Sequence, residues 1–340
     1  MFLNAGFSYE WWNRSYGLRF AENLYFDPDA KYEAQRFMNA AARSRFPWYE
    51  KLTTGVKDNV VSSPNIDVEP YGHRFIPALF GCKVAYGDAH APWAETHMLS
   101  PEAIDALPFW SMDDFAADER VQIITEQVRH VREKYGWCSA QQNLGSVINT
   151  AIYLRDMELF TDFFERPETV HRLYALITNR MKLSYEYFSA LDGKPTNVGV
   201  GNCSVCMISP AIYEAFNRQY DMEIMEMARE KGVLFSMHQD SNVTPYIQSY
   251  KAFDHLYSFD IGWDTDVAAF RQAFPDTVLN LFIYTSFLNE RTPEQIRKDI
   301  RKLINDAGDR DKTGFSCYDI DTSIPDEKVT ALYEAVYAQA

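Results

Sequence analysis

Residues 209–240 read SPAIYEAFNRQYDMEIMEMAREKGVLFSMHQD, and this stretch decides the fold class. A Ser-Pro pair supplies a helix N-cap and a proline at the first helical position, and apolar residues recur every four positions from Ile212 onward. A Lys-Gly pair at 231–232 is typical of a helix C-terminus. Residues 233–237 then predict a short apolar strand. The stretch is therefore one helix followed by one strand, the repeating unit of an α/β protein.

The same alternation continues on both sides of this stretch. Helices are predicted at residues 119–135, 157–189, 292–304 and 326–338. Short apolar strands are predicted between helical segments at residues 197–201, 255–259, 277–283 and 314–317, and another begins near residue 137. Short connections between strand and helix indicate parallel strands joined by crossover helices. We therefore predict an α/β fold of the (β/α)8 TIM-barrel type, in which residues 1–340 form a single domain.

The first 110 residues are less regular than the rest of the chain. They contain many aromatic residues, such as Trp11-Trp12 and Trp93, within segments rich in Gly, Pro and Asp. Residues of these three types favour turns and loops over helices and strands. We interpret this part as the first strands of the barrel with elaborated N-terminal βα insertions that lie over the barrel mouth.

The composition excludes several classes of function. The formal net charge is −15, so the protein's own field opposes binding to nucleic acid or to an anionic membrane. No stretch approaches the ~18 uninterrupted apolar residues of a membrane helix, and the first residues lack the basic start of a signal peptide. Five cysteines are too few for a disulfide scaffold in 340 residues. We expect a cytoplasmic protein that binds neither nucleic acid nor membrane.

Unusual side chains follow three of the predicted strands, where the mouth of a βα barrel lies. His238 and Asp240 have i, i+2 spacing after the strand at 233–237, so an imidazole nitrogen and a carboxylate oxygen face the same point. Cys317 ends a later strand and is expected to reach across the mouth. A His/Asp/Cys set with an open fourth position is the usual arrangement of catalytic zinc. The alternative is a structural histidine that is held by hydrogen bonds at the end of a strand.

The loop after the strand at 197–201 contains a further candidate group. Cys203 and Cys206 have the C-x-x-C spacing of zinc and redox sites, but the chain has no second pair of this kind to complete a structural site. We expect Cys203 to face the mouth and Cys206 to pack near the next helix. Asn202, at the end of the same strand, and Asp260, in the segment after a later strand, are candidate catalytic residues.

Several segments resemble landmarks of the uroporphyrinogen decarboxylase superfamily. Residues 208–216, ISPAIYEAF, with Tyr220-Asp221 following, are similar to its iSPxxFxxFxxPY helix start. Other matching segments lie at residues 149–156, 164–168, 234–247 and 291–296. The order and spacing of these segments carry the resemblance, which covers roughly residues 140–338. It implies an enzyme with a TIM-type barrel.

Within that superfamily, the chain looks most like the zinc-dependent, corrinoid-linked methyltransferases, which carry His-x-Cys after this strand and a distant cysteine as zinc ligands. The resemblance implies His238 and Cys317 as ligands, with Asp240 in place of the middle cysteine and Cys203 as a spare thiolate. It also implies methyl transfer between a methoxy or thiol substrate and a corrinoid (cobalamin), with zinc as Lewis acid. Since the chain contains no Asp-x-His-x-x-Gly cobalamin motif, the corrinoid is expected on a separate carrier protein.

Two alternatives stay open. The first is metal-free acid–base chemistry of the decarboxylase type, a carboxy-lyase reaction in which Asp240, Asp260 or a tyrosine at the mouth is active. The chain lacks the arginine-rich N-terminal segment that holds the acidic groups of a tetrapyrrole in that branch, and its net charge of −15 opposes such a substrate. The second alternative is a non-catalytic barrel that binds a tetrapyrrole or a corrinoid.

Overall fold

A curled parallel sheet is the centre of the computed structural model, which describes residues 1–48 and 68–337. The strands of the described residues are β1 (Phe2–Phe7), β2 (Val84–Gly87), β3 (His90–Ala94), β4 (Val198–Gly201), β5 (Phe235–Gln239), β6 (Leu256–Gly262), β7 (Val278–Phe282) and β8 (Thr313–Ile320). Six of these form the sheet, in the order β1-β8-β7-β6-β5-β4, and every neighbouring pair is parallel. Strands β2 and β3 form a separate antiparallel hairpin.

Helices connect the parallel strands, as a βα barrel requires. The α-helices of the described residues are Tyr9–Tyr16, Glu22–Phe26, Pro28–Arg45, Phe75–Ala78, Pro101–Ala106, Met112–Ala117, Glu119–Tyr135, Val147–Arg155, Glu158–Glu165, Pro167–Asp192, Pro210–Ile212, Arg218–Lys231, Ile247–Tyr250, Val267–Ala273, Thr285–Asn289, Pro293–Ala307 and Asp326–Tyr337. Single 3₁₀ turns lie at Gly72–Arg74, Cys203–Met207 and Thr244–Tyr246. The predicted TIM-type α/β fold is confirmed. No helix among residues 1–48 and 68–337 is long and apolar enough to cross a membrane.

The helix before β5 forms for the local reasons that its sequence indicates. The Ser209 hydroxyl accepts a hydrogen bond from the Ile212 amide at 3.3 Å, and Gly232 ends the helix in the left-handed region with φ of 67°. One detail differs from the expected continuous α-helix. A π-helical turn at Tyr213–Asn217 interrupts it. Such turns rotate the side chains that follow relative to an ideal α-helix.

Alternation along the central strands separates two environments. The helix-facing side chains, such as Met237, Phe259 and Phe315, are at most 2% exposed and form the hydrophobic core with the surrounding helices. The opposite faces of the same strands carry polar side chains: Ser236, His238, Ser258, Asp260, Asn280 and Ser316. The inside of the barrel is therefore the polar side of this sheet.

The barrel wall beside β4 is irregular backbone. The Gly201 amide donates to the Gly145 carbonyl at 2.9 Å, so the segment before Gly145 lies where the next strand of a barrel would lie. The strand that we expected near residue 137 is absent from this described segment. Side chains satisfy its backbone instead: the Arg132 guanidinium donates to the Cys138 carbonyl at 2.8 Å, and Asp192 accepts from the Ala140 amide at 2.9 Å.

The N-terminal part combines one barrel strand with the expected insertions. Strand β1 pairs with β8 in parallel and is part of the barrel wall. The β2–β3 hairpin and several helices follow before residue 147. The Phe20 amide donates to the Asp88 carbonyl at 3.0 Å and links the hairpin turn to the first helices.

Candidate metal centre

The ends of three neighbouring strands bring the candidate residues to one level of the barrel. Gly201 of β4 pairs with His238 of β5, and His238 pairs with Asp260 of β6. Asn280 continues the same row on β7. Since paired residues of a parallel sheet lie side by side and point to the same face, His238 and Asp260 both face the inside of the barrel.

His238 lies between two carboxylates. Its Nδ1 is 3.1 Å from Asp260 Oδ2, and its Nε2 is 3.9 Å from Asp240 Oδ2. An ionised carboxylate can only accept, so Nδ1 carries the hydrogen and donates to Asp260. In the neutral imidazole the lone pair is then on Nε2, on the side of Asp240. A histidine held in this way presents a defined nitrogen to a metal.

The neighbours of His238 raise the pKa of its imidazole. Burial lowers the pKa, but hydrogen bonds to Asp260 and Cys203, together with the charges of these groups, outweigh burial and raise it to about 10. The positive charge of an imidazolium is therefore favoured at this point of the barrel. A metal cation would meet the same favourable field, and it would replace the proton on Nε2.

Cys203, His238 and Asp240 form a cluster with metal-ligand chemistry. One potential ligand atom from each of the three residues lies within 4.8 Å of the other two. All three side chains are half-buried, His238 at 31% and Asp240 at 34% exposure. A sulfur, an imidazole nitrogen and a carboxylate oxygen are the ligand types that zinc takes, and three protein ligands leave one position open. The donor set fits zinc.

The turn that carries Cys203 is fixed by its backbone. The Asn202 amide donates to the His238 carbonyl at 2.6 Å, and the Ser204 amide donates to the Asn149 side-chain oxygen at 3.0 Å. Asn149 also donates to the Gly201 carbonyl at 2.7 Å. Two neighbouring segments therefore hold the Cys203–Met207 turn against the end of β5. Cys203 therefore faces His238 and Asp240 at the mouth.

The side chain of Asn202, predicted as a catalytic residue, lies away from the mouth. Its side chain is fully buried and donates to Asp221 Oδ2 at 2.7 Å. The Tyr213 hydroxyl donates to the same oxygen at 2.9 Å. Burial raises the pKa of Asp221 to about 7, against these two hydrogen bonds. Asn202 thus ties β4 to the helix that follows and has no access to a substrate.

Cys317, predicted as a metal ligand, does not join the cluster of Cys203, His238 and Asp240. Its neighbour Ser316 accepts from Asn280 Nδ2 at 2.6 Å, which fixes Ser316 on the polar inner face. Successive side chains of a strand point to opposite faces, so Cys317 points toward the helices. It is 0% exposed, and burial raises the pKa of its thiol to about 12. The thiol is a core side chain.

Asp260, predicted as catalytic, lies at the site but touches His238. Its side chain is 33% exposed, and its contact with Nδ1 fixes both the ring orientation and the tautomer. Asp260 is therefore a positioning residue in this geometry. The backbone of Asp240 is also held, because the Tyr284 hydroxyl donates to its carbonyl.

Aromatic rings form one side of the mouth. The Phe282 ring lies 5.7 Å from the imidazole of His238 and 5.9 Å from the rings of both Tyr284 and Tyr318. We call Phe282, Tyr284 and Tyr318 the aromatic wall. The sequence interpretation missed Phe282 and Tyr284, although their i, i+2 spacing at the end of a strand was a usable signal. His73, in the turn at 72–74, interacts electrostatically with His238 and Asp319 and also belongs to the mouth.

Comparisons with known proteins agree with this architecture. The chain matches the family Uroporphyrinogen decarboxylase (URO-D) over residues 70–339. Among solved structures it is similar to a methyltransferase from Methanosarcina mazei, with a TM-score of 0.58, 14% sequence identity and coverage of 83% of this chain and 82% of that chain. At this identity the structural similarity shows a shared fold. No curated protein matches the chain. The family match covers most of the sequence, and the chain therefore belongs to the URO-D family.

Proposed function

We propose that the protein is a zinc-dependent methyltransferase that moves a methyl group between a methoxy or thiol substrate and a corrinoid on a separate carrier protein. The observation that carries the proposal is the cluster of Cys203, His238 and Asp240, with one ligand atom of each within 4.8 Å of the others. It lies at the carboxyl ends of β4 and β5, the end at which βα barrels hold their active sites.

The charges of the three ligands support zinc as the occupant. A thiolate and a carboxylate carry two negative charges, and a neutral imidazole adds none, so together they balance a divalent cation in a half-buried place. Asp260 holds the imidazole in the tautomer that directs Nε2 to the cluster. Bound zinc supplies Lewis acidity to a substrate oxygen or sulfur. A carboxylate in place of a thiolate makes the site harder and favours oxygen, hence a methoxy donor.

The aromatic wall supplies the remaining requirement for binding such a substrate. Phe282 lies directly beside the imidazole, and Tyr318 is 43% exposed next to it. Rings in this position pack against an apolar or aromatic group and exclude water from one side of the cluster. The chain's own role is then to orient the methyl-bearing atom, while the open mouth gives the carrier protein access.

The decarboxylase alternative receives less support from the charges at the mouth. Asp240 and Asp260 flank His238, Asp264 lies 3.5 Å from the Tyr284 hydroxyl, and Asp319 follows at the end of β8. Four carboxylates around the opening repel a tetrapyrrole that carries many acidic groups. A neutral methyl donor meets no such repulsion.

Metal analysis of protein purified without chelator tests the proposal. We expect about one zinc per chain, lost in Cys203→Ala, His238→Ala and Asp240→Ala. Cys317→Ala is the matched control and keeps its zinc, because its thiol faces the helices. The zinc-loaded protein is then mixed with methyl donors and a reduced corrinoid, and the methylcorrinoid spectrum is followed. The proposed function is refuted if the wild-type protein is purified without zinc and still shows no activity with methyl donors after zinc is added.

A further inference from the structure

Cys206 occupies an unusual place for a cysteine. It lies three residues after Cys203 in the 3₁₀ turn Cys203–Met207 and is exposed. Free cysteines are among the most buried residues of proteins, so exposure beside a polar cluster calls for a role other than packing. The other cysteines outside this turn, Cys82, Cys138 and Cys317, are all buried.

The geometry of the turn brings the two thiols to one side. A 3₁₀ helix has three residues per turn, so the side chains at positions i and i+3 eclipse one another. Cys203 and Cys206 stand in this relation, and Cys206 Sγ lies 3.2 Å from the Cys203 carbonyl oxygen. Since Cys203 already faces His238 and Asp240, the eclipsed Cys206 is directed to the same side of the turn.

The Cys206 sulfur has neighbours that belong to the cluster of Cys203, His238 and Asp240 or lie next to it. The Cys206 thiol forms a hydrogen bond with Ser241 and interacts with the charge of Asp240. Ser241 is the residue after Asp240, so Cys206 interacts with the same loop that supplies the carboxylate ligand.

A tetrahedral zinc site needs one ligand more than the cluster provides, and a second sulfur can supply it. Zinc prefers four ligands in a tetrahedron, and Cys203, His238 and Asp240 provide three. The distant cysteine of the sequence prediction, Cys317, faces the helices and is 0% exposed. Of the remaining thiols, Cys206 is the one on the loop beside Asp240.

We propose that Cys206 is the fourth ligand of the metal in the substrate-free protein, which gives a set of two thiolates, one imidazole and one carboxylate. This inference rests on the proposed metal site of the preceding subsection. Cys206 is outside the 4.8 Å cluster and exposed, so it is the ligand that a substrate oxygen or sulfur replaces at the open side of the mouth.

Cobalt(II) substitution tests the proposal, because each thiolate bound to cobalt adds charge-transfer absorption in the near ultraviolet. The proteins are wild type, Cys206→Ser, Cys206→Ala, Cys203→Ser and, as the matched control, Cys317→Ser. We expect the absorption per cobalt in both Cys206 variants to fall to about half of the wild-type value, and that of Cys317→Ser to stay unchanged. Loss of a direct ligand also weakens cobalt affinity by at least about tenfold in both Cys206 variants.

The outcomes separate this inference from the proposed function. Equal absorption per cobalt in wild type and both Cys206 variants overturns Cys206 as a ligand, while the site of Cys203, His238 and Asp240 stands. Wild-type protein that binds neither cobalt nor zinc overturns both. Because Cys206 is exposed, its variants are expected to fold, and their circular dichroism spectra are compared with that of the wild type.

Discussion

Replacement of Asp260 with alanine is expected to weaken zinc binding although Asp260 is not a ligand. Its carboxylate accepts from His238 Nδ1 at 3.1 Å and thereby fixes the ring and its tautomer. Without it, the imidazole is free to rotate and to carry its hydrogen on Nε2, the nitrogen that faces Cys203 and Asp240. When zinc binds, the ring has to stop rotating and the hydrogen has to leave Nε2, and the free energy of these steps reduces the affinity for zinc.

The size of the effect follows from the exposure of the pair. Outer partners of metal-bound histidines contribute about 10–100-fold to affinity. The side chains of His238 and Asp260 are 31% and 33% exposed, so water screens their interaction and the lower end of that range applies. We expect a decrease of about tenfold, which corresponds to ~1.4 kcal/mol of binding free energy. Asp260→Asn keeps an acceptor oxygen and is expected to lose less than Asp260→Ala.

Zinc affinity is measured by competition with a chromogenic chelator at fixed pH. Asp264→Ala is the matched control, because Asp264 is also a carboxylate of the mouth but contacts the Tyr284 hydroxyl, at 3.5 Å, rather than His238. Removal of either carboxylate changes the net charge equally. If both alanine variants lose affinity by the same factor, the effect of Asp260 is general electrostatics and the positioning role is refuted. Unchanged affinity in Asp260→Ala refutes it as well.

Three further predictions concern the walls of the site. Burial raises the pKa of Asp221 to about 7, so between about pH 4 and 7 this group holds more protons in the folded protein than in the unfolded chain. Its contribution to the free energy of unfolding in urea is expected to fall as the pH rises over that interval. Asp221→Asn is expected to remove this contribution, and an identical pH dependence in the two proteins contradicts the prediction. A Cβ at Gly199 would lie 2.9 Å from the Ser236 carbonyl oxygen, so Gly199→Ala is expected to lower the free energy of unfolding by about 1–3 kcal/mol. Gly201→Ala is the control on the same strand and is expected to be neutral, because its Cβ would have no neighbouring atom closer than 3.9 Å. Equal melting temperatures of the two variants contradict this prediction. Phe282→Leu is expected to raise KM for an aromatic methyl donor about threefold to tenfold, because the ring beside His238 packs against the donor, while the zinc content stays unchanged. An unchanged KM would exclude ring packing against the donor as the role of Phe282.

Local sequence patterns determined the class of fold and part of the site. The Ser-Pro start and the glycine at 232 act through the nearest backbone groups, so the helix before β5 was predictable from its own residues. The i, i+2 relation of His238 and Asp240 is a property of one strand end, and the two side chains do face each other at 3.9 Å. Cys203 was a second possibility in the sequence and lies in the cluster.

Two predicted site residues lie away from the cluster because of where a strand ends and how a turn rotates. Strand β8 continues to Ile320, so Cys317 is an interior position of the strand and its side chain points to the helices. Asn202 begins a 3₁₀ turn, which rotates its side chain toward Asp221 and the next helix. A shift of one residue in either segment would turn a side chain from the mouth of the barrel to its core.

The sequence by itself therefore determined most of the helices and strands after residue 146, because capping, periodicity and the alternation of strands act over a few residues. The tertiary structure alone decided which strand ends share a level and which thiol of the chain faces the imidazole. These depend on the register between strands that lie far apart in sequence and on hydrogen bonds such as that from the Asn202 amide to the His238 carbonyl. No local sequence pattern predicts that register, since it is set by the packing of the whole barrel.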